Sequence, residues 1–254
     1  MNYIMSRSLL IPVFILIALL PSAAQEKKKP APKNEPRIFF ASPLGATPGK
    51  TTKLTIRGSN LDDAKEVKVL DGQGSAKILS KGKASVPDKN PEKVGDTQIE
   101  IELRLHEKLA GATVSLVVVT PNGETKPHVL LTEAALAEKE PNDGFRDAQA
   151  LALPTVIGGS IHRAKDVDVF KFEGKKGQKI YAEVLASRHG SPLDAMLTLY
   201  DVKGQQLAFN DDFAKEHRDA RIEFVLPADG VYFLVLIDAH DSGSALHVYR
   251  LAVK

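Results

Sequence analysis

The chain lacks cysteine and tryptophan, and it has only 3 methionines among its 254 residues. Without cysteine it cannot form disulfides, thiolate metal sites or a cysteine nucleophile. An excess of one charge is also missing, because 34 Lys and Arg residues face 32 Asp and Glu residues, a net charge of +2. Nucleic-acid binding depends largely on clustered cations that neutralise phosphates, so no nucleic-acid partner is expected. With 43% apolar residues, the composition is that of a folded protein of one or two domains.

A long apolar segment is missing too. The run Leu9–Leu20 has about 12 residues, whereas a helix that crosses a bilayer needs about 20. Arg7 precedes this run and Ser22-Ala23-Ala24 follows it, the pattern of a signal peptide cleaved after Ala24. We therefore predict a signal peptide over residues 1–24, no membrane span in the mature chain, and a periplasmic or extracellular location. Residues 25–36, rich in Lys and Pro, are predicted to form a solvated linker.

Residues 37–132 have the periodicity of short β-strands. Lys53–Arg57, Glu66–Val69 and Gln98–Leu105 alternate polar and apolar residues, and Val114–Val119 is a continuous apolar run. About seven such segments, separated by turn residues, predict an immunoglobulin-like antiparallel β-sandwich.

Particular motifs in this region carry a family resemblance. Pro36–Ile38, Ser42-Pro43, Gly49 and Leu54–Leu61 resemble the opening of an IPT/TIG domain, and Val117–Gly123 resembles its penultimate strand and turn. The resemblance implies a sandwich used for spacing or protein contact, and it implies no chemistry.

A second set of strands fills the C-terminal half. Residues 133–139 are interpreted as an interdomain hinge, either a short helical turn or an extended strap, because good helix formers end at Pro141. Residues 140–254 contain about eight segments of strand periodicity, with turn sequences such as Gly174–Gly177 and Pro227–Gly230 between them. They predict a second antiparallel sandwich, of jelly-roll type, so the expected fold class is all-β with two sandwiches in tandem.

The C-terminal half also resembles a known family. Glu138–Asp143, Asp166–Phe172, Leu197–Asp201, Ala228–Tyr232 and Tyr249–Leu251 are similar, in order and spacing, to a bacterial pre-peptidase C-terminal (PPC) domain. The resemblance implies a non-catalytic β-sandwich of a kind commonly appended to secreted peptidases. Collagen-binding members hold calcium with acidic residues of the N-terminal strap and of an Asp-rich stretch.

Acidic residues at two-residue spacing are the candidate metal ligands. In an extended strap, Glu138, Glu140 and Asn142 fall on one side, and Asp166 and Asp168 share a side for the same reason. From spacing alone these residues could instead cap turns through their own backbone, whereas the resemblance favours Ca²⁺, which prefers carboxylate and amide oxygens. The predicted ligands are therefore Glu138, Glu140, Asn142, Asp166 and Asp168, with Ser160, Asp211 and Asp212 as weaker candidates.

No catalytic constellation is found. His106–Ala110 begins like a zincin helix, but Ala110 stands where the second histidine must be. Gly159-Ser160 lacks the flanking glycine of a nucleophile elbow, and no Gly-x-x-x-x-Gly-Lys phosphate loop occurs. We therefore predict a protein that is not an enzyme and has no catalytic residues.

The predicted function is that of a secreted binding, adhesion or accessory protein. Its expected partner is an extracellular or cell-envelope protein or polysaccharide. Two alternatives stay open. One is an auxiliary subunit or remnant of a secreted peptidase. The other is a glycan-binding module, in which aromatic residues such as Tyr200, Phe209 and Phe213 would form a binding face.

Overall fold

The computed structural model describes residues 34–86, 91–109 and 111–254. The predicted signal peptide and residues 25–33 of the predicted linker lie outside the described residues. The described chain forms two β-sandwiches, each made of two sheets, which confirms the all-β prediction. None of the helices within these ranges has the length and apolar character that crossing a membrane requires.

The N-terminal sandwich packs a sheet of order β1-β2-β5-β4 against a sheet of order β3-β6-β7, in which β8 also pairs with β6. Its strands are β1 (Arg37–Ser42), β2 (Thr51–Ser59), β3 (Glu66–Val69), β4 (Gly74–Lys83), β5 (Thr97–Leu105), β6 (Thr113–Thr120), β7 (Gly123–Glu124) and β8 (His128–Leu131). A one-turn helix, α1 (Pro91–Val94), precedes β5.

The C-terminal sandwich packs a sheet of order β10-β12-β17-β14-β15 against a sheet of order β16-β13-β18-β11-β9. Its strands are β9 (Leu136–Ala137), β10 (Gln149–Ala150), β11 (Thr155–Ser160), β12 (Asp168–Gly174), β13 (Lys179–Leu185), β14 (Ala195–Asp201), β15 (Gln206–Asn210), β16 (Arg221–Val225), β17 (Gly230–Asp238) and β18 (Val248–Val253). The short strands β9 and β10 pair in parallel with β11 and β12, whereas the other strand pairs of this sandwich are antiparallel.

Alternation of side chains builds the core of each sandwich. In β5, Ile99, Ile101 and Leu103 are fully buried, while the charged residues between them point outward. The C-terminal core is filled in the same way, with Phe170 and Tyr249 among its largest buried side chains. Burial of such apolar surface is the main force that holds each sandwich together.

The last strand, β18, is buried on both faces. Tyr249 and Leu251 point into the core of their own sandwich. On the opposite face, Val248 joins Phe40 and Leu44 of the N-terminal sandwich in a separate buried apolar cluster. The two sandwiches are therefore in direct contact, and the outer face of β18 is part of the contact surface.

Candidate metal centre

A strap of residues 133–142 crosses from one sheet of the C-terminal sandwich to the other. Near its start β9 pairs with β11, and the N–H of Glu138 donates to a carbonyl of β11 at 3.0 Å. At its end the carbonyl of Asn142 accepts a hydrogen bond from the N–H of Val169 in β12 at 2.9 Å. These anchors bring the acidic residues of the strap to the beginning of β12, where Asp168 lies.

Three carboxylates meet beneath the strap, from Glu138, Glu140 and Asp168. Each offers one oxygen, and the three oxygens lie within 4.8 Å of one another. The hydroxyl of Tyr249 lies 2.6 Å from Oδ2 of Asp168 and 2.8 Å from Oε1 of Glu138, so it can donate to one of them at a time. The second oxygen of Glu138 accepts the backbone N–H of Ser160 at 2.9 Å.

Gly159 leaves room for the carboxylate of Glu138 and the hydroxyl of Tyr249. A Cβ at position 159 would lie 2.4 Å from Oε2 of Glu138 and 2.6 Å from the hydroxyl of Tyr249. A larger residue would therefore displace the strap or the tyrosine, and glycine is the residue that permits this close approach.

Burial dominates the electrostatics of the cluster. Asp168 is fully buried, and this desolvation, together with the neighbouring Glu138 carboxylate, raises the pKa of Asp168 to about 10. Burial likewise raises the pKa of Tyr249 well above its ordinary value. Without a cation, Asp168 therefore holds a proton at neutral pH.

Two buried oxygens in the cluster have no hydrogen-bond partner. They are Oδ1 of Asn142 and Oδ1 of Asp168, and among the described residues they are the two buried side-chain polar atoms that lack one. The Asn142 amide lies against the cluster, because its Nδ2 donates to Oε1 of Glu138 at 3.3 Å. A buried acceptor without a partner costs about 1–3 kcal/mol, so its presence calls for an explanation such as an ion.

These residues fit a calcium ion. Calcium takes six to eight oxygen ligands from carboxylates, amides, carbonyls and water. Glu138, Glu140, Asn142 and Asp168 are all oxygen donors, and two of their oxygens have no other partner. When bound, the cation would neutralise the repulsion between the carboxylates and occupy the unpaired acceptors.

Asp166 belongs to an outer group of ion pairs. The structure starts β12 at Asp168, so Asp166 lies in the preceding turn. Its Oδ2 lies 2.7 Å from Nδ1 of His162, which is 2.8 Å from Oε1 of Glu140. Its Oδ1 lies 3.3 Å from Nε of Arg163. Asp166 therefore lies outside the inner cluster, but it forms a second group of converging potential ligands with Glu140 and His162, whose ligand atoms lie within 4.8 Å of one another.

Sequence reasoning missed the contributions of His162 and Arg163. Arg163 also forms a two-pronged ion pair with Asp143, at 3.0 and 3.1 Å. Both residues lie in the loop between Ser160 and Asp166. Their position between two candidate ligands was the sequence signal that could have predicted their contact with the acidic residues.

The weaker candidates contribute no side-chain oxygen to either acidic group. Ser160 touches the inner group only through its backbone N–H, which donates to Glu138. Asp211 and Asp212 are exposed in the turn after β15, where Oδ1 of Asp211 accepts the N–H of Asp212 at 2.9 Å. Neither aspartate is part of a group of converging potential ligands among the described residues. Their geometry is that of a capped turn.

The fold and this cluster define a class of protein module: an antiparallel β-sandwich with an acidic cluster beneath its N-terminal strap. Residues 166–237 match the model of the bacterial pre-peptidase C-terminal domain. The PPC prediction for the C-terminal sandwich is thereby confirmed, whereas the IPT/TIG resemblance of residues 37–132 stays a prediction.

A curated relative matches most of this chain. A probable subtilase-type serine protease of Deinococcus radiodurans is 30% identical over 212 residues, which cover 78% of this chain and 28% of the relative. The chain thus spans less than a third of the length of that protease.

Solved structures give weaker likenesses. The PPC domain of a Bacillus anthracis collagenase is 19% identical and covers 46% of this chain and 100% of its own, with a TM-score of 0.35. The secreted serine protease VesC of Vibrio cholerae is 14% identical, covering 87% of this chain and 51% of its own, with a TM-score of 0.29. SGBP-B of a mixed-linkage glucan utilisation locus of Bacteroides ovatus is 9% identical. It covers 87% of this chain and 75% of its own, with a TM-score of 0.26.

Proposed function

We propose that this chain is a secreted, non-catalytic binding, adhesion or accessory protein whose C-terminal sandwich is stabilised by calcium. The observation that carries the proposal is the pair of buried oxygens without a partner, Asn142 Oδ1 and Asp168 Oδ1, among the carboxylates beneath the strap. The PPC match over residues 166–237 supports a non-catalytic module, since that is what the family resemblance implies.

The geometry of the carboxylates supports a structural role for them. A general acid or base must come within hydrogen-bond reach of the reacting group. Asp168 is fully buried and contacts Tyr249, and the oxygens of Glu138 accept hydrogen bonds from Tyr249 and from the N–H of Ser160. A substrate therefore has no route to Asp168 without displacement of the strap.

An accessory role beside a secreted peptidase is the first alternative within this proposal. It is supported by the 30% identity to a probable subtilase-type serine protease over most of this chain. Purified protein should show no hydrolysis of casein or gelatin by itself. If it acts as an accessory module, it should instead increase the retention or activity of a co-purified peptidase.

A glycan-binding role is the second alternative. Phe209 is 46% exposed and Phe213 42%. However, the ring of Phe213 is covered by the guanidinium of Arg221, 4.3 Å from its centroid, and Tyr200 packs on Phe145 at 5.6 Å. Retention on insoluble polysaccharides that is lost in Phe209→Ala would favour this alternative.

Calcium-dependent melting tests the central proposal. Calcium should raise the Tm of the protein, because it binds the folded cluster and not the unfolded chain; at about 100 times Kd the gain is about 2.7 kcal/mol. Glu138→Gln should remove the response, whereas Asp211→Asn, which changes an exposed turn, should keep it. Identical melting of the wild type in millimolar calcium and in chelator would show that the site is wrong.

A further inference from the structure

A cleft of about 370 Å³ lies between the two sandwiches. The N-terminal sandwich contributes the loop 42–47, the strap contributes residues 133–137, and the C-terminal sandwich contributes 158–160 and 248–250. Its volume is within the range of small-ligand sites, about 300–1,000 Å³. Most of its lining residues are small or apolar, so the cleft suits a narrow and largely apolar ligand.

Two charged residues line this cleft, the buried Arg250 and the exposed Glu133, whose carboxylate partly offsets the positive charge of the guanidinium. Arg250 is only 4% exposed, it projects from the outer face of β18, and it donates a hydrogen bond to the backbone carbonyl of Glu133. A guanidinium has five N–H donors, and this is the one hydrogen bond of Arg250 among the described contacts. Burial lowers the pKa of Arg250 from its ordinary value, which reflects the cost of holding this cation away from water.

Neighbouring residues preserve the space around the guanidinium. A Cβ at Gly45 would lie 2.1 Å from Nη1 of Arg250, so the glycine permits the arginine to occupy this position. Gly158 forms part of the opposite wall, and a Cβ there would contact only Cβ of Ala135, at 3.6 Å. The cleft therefore has open space beside the buried cation.

The lining favours a peptide over a sugar. Sugars are commonly bound on exposed aromatic rings, but Tyr249, the one aromatic residue that lines this cleft, is 1% exposed and its hydroxyl is engaged with Glu138 and Asp168. A planar carboxylate is the group that pairs best with a guanidinium, through two parallel hydrogen bonds.

We propose that the cleft binds the C-terminal carboxylate of a short peptide with small apolar side chains, and that Arg250 is the residue that pairs with this carboxylate. The inference rests on the proposed accessory role, because cleavage by a peptidase creates new C-terminal carboxylates. The strap forms one wall of the cleft and also carries Glu138, so calcium at the cluster would hold that wall in place.

Fluorescence anisotropy tests this assignment on the full protein in millimolar calcium. The probe is a fluorescein-labelled peptide, Ala-Ala-Leu-Ala-Val, with either a free carboxylate or a C-terminal amide. The free acid should bind at least tenfold more tightly than the amide, and Arg250→Gln should weaken binding of the acid roughly ten- to hundredfold, as expected for a lost charged hydrogen bond. The control Arg146→Gln changes an exposed arginine and should leave binding unchanged.

A second variant guards against misfolding of Arg250→Gln. Gly158→Ala adds a methyl group to the wall of the cleft, and its Cβ would meet only Cβ of Ala135, at 3.6 Å, so it should weaken peptide binding while Tm stays near that of the wild type. Equal binding of acid and amide, no binding up to millimolar peptide, or preferential binding of an oligogalacturonate would overturn the proposal. The calcium response of Tm is measured in the same samples, so failure of the cleft assignment and failure of the calcium site are distinguishable.

Discussion

In the absence of a metal ion, the stability of this protein should fall as the pH rises through the neutral range, because of Asp168. Its pKa is raised to about 10 in the folded protein by burial and by the Glu138 carboxylate, whereas an aspartate in an unfolded chain has a pKa of about 3.9. Between these values the folded protein holds a proton that the unfolded chain has released. The stabilising contribution is therefore complete at acid pH and is lost as the pH rises towards the folded pKa.

The size of this effect follows from one proton. A difference of one bound proton changes the free energy of unfolding by about 1.4 kcal/mol per pH unit, so a rise from about pH 6 to pH 8 should lower it by about 3 kcal/mol. For a chain of this size that corresponds to a drop in Tm of about 6–12 °C. Asp168→Asn replaces the protonated carboxyl by a neutral amide of similar shape, so it should flatten this dependence and also abolish the response to calcium.

Scanning calorimetry in excess EDTA at pH 6, 7 and 8 measures the difference between the wild type and Asp168→Asn. Titrating groups outside this cluster are common to both proteins, so the difference between their slopes reports on Asp168 together with the groups that contact it, Glu138 and Tyr249. Asp211→Asn is the matched control, because it removes an exposed carboxylate of the same sandwich. In calcium the slope of the wild type should shrink, since the ion replaces the proton. Parallel slopes for the wild type and Asp168→Asn in EDTA would refute the reasoning.

Three further predictions concern the strap, the core and acid stability. Gly159→Ala should lower the calcium affinity measured by titration calorimetry at least tenfold, because its Cβ would meet Glu138 and Tyr249; unchanged affinity would contradict the packing argument. Leu251→Ala should lower the free energy of unfolding by about 2–5 kcal/mol in urea titrations, because Leu251 is fully buried; a loss below 1 kcal/mol would contradict its place in the core. Burial, with the neighbouring His189, lowers the pKa of His128 to about 4. The free energy of unfolding should therefore decline as the pH falls from about 6.5 towards 4. His128→Gln should reduce that decline, and an unchanged dependence on acid pH would contradict the shifted pKa.

Strand positions were largely predictable from the sequence. The predicted segment Glu66–Val69 coincides with β3, and the predicted segments Gln98–Leu105 and Val114–Val119 lie within β5 and β6. The two-residue repeat is a local signal, because one face of each strand is buried and the other is solvated. The two-residue strands β9 and β10 were missed, since two residues carry no periodicity.

The candidate site was only partly predictable. Alternation along an extended chain predicts that Glu138 and Glu140 fall on one side, and in the structure one oxygen of each lies near an oxygen of Asp168. The same rule could not be applied to Asp166, because β12 begins after it and Lys165 adopts a left-handed conformation with φ of 63°. The side chain of Asp166 therefore turns to His162 and Arg163 instead of joining the inner oxygens.

By itself, the sequence determined which segments are strands, that they form two sandwiches, and which acidic residues could share a side. Only the tertiary structure decided that Tyr249 contacts Glu138, 111 residues away in the chain, and that Arg250 contacts Glu133, 117 residues away. Strand periodicity reports which face of a residue's own strand is buried, but not which other segment covers that face. Arg250 and the unpaired oxygens of Asn142 and Asp168 are buried because segments distant in the chain pack over them. Burial of a charged or polar group is costly unless it has a partner, and the local sequence does not specify which partner the fold provides.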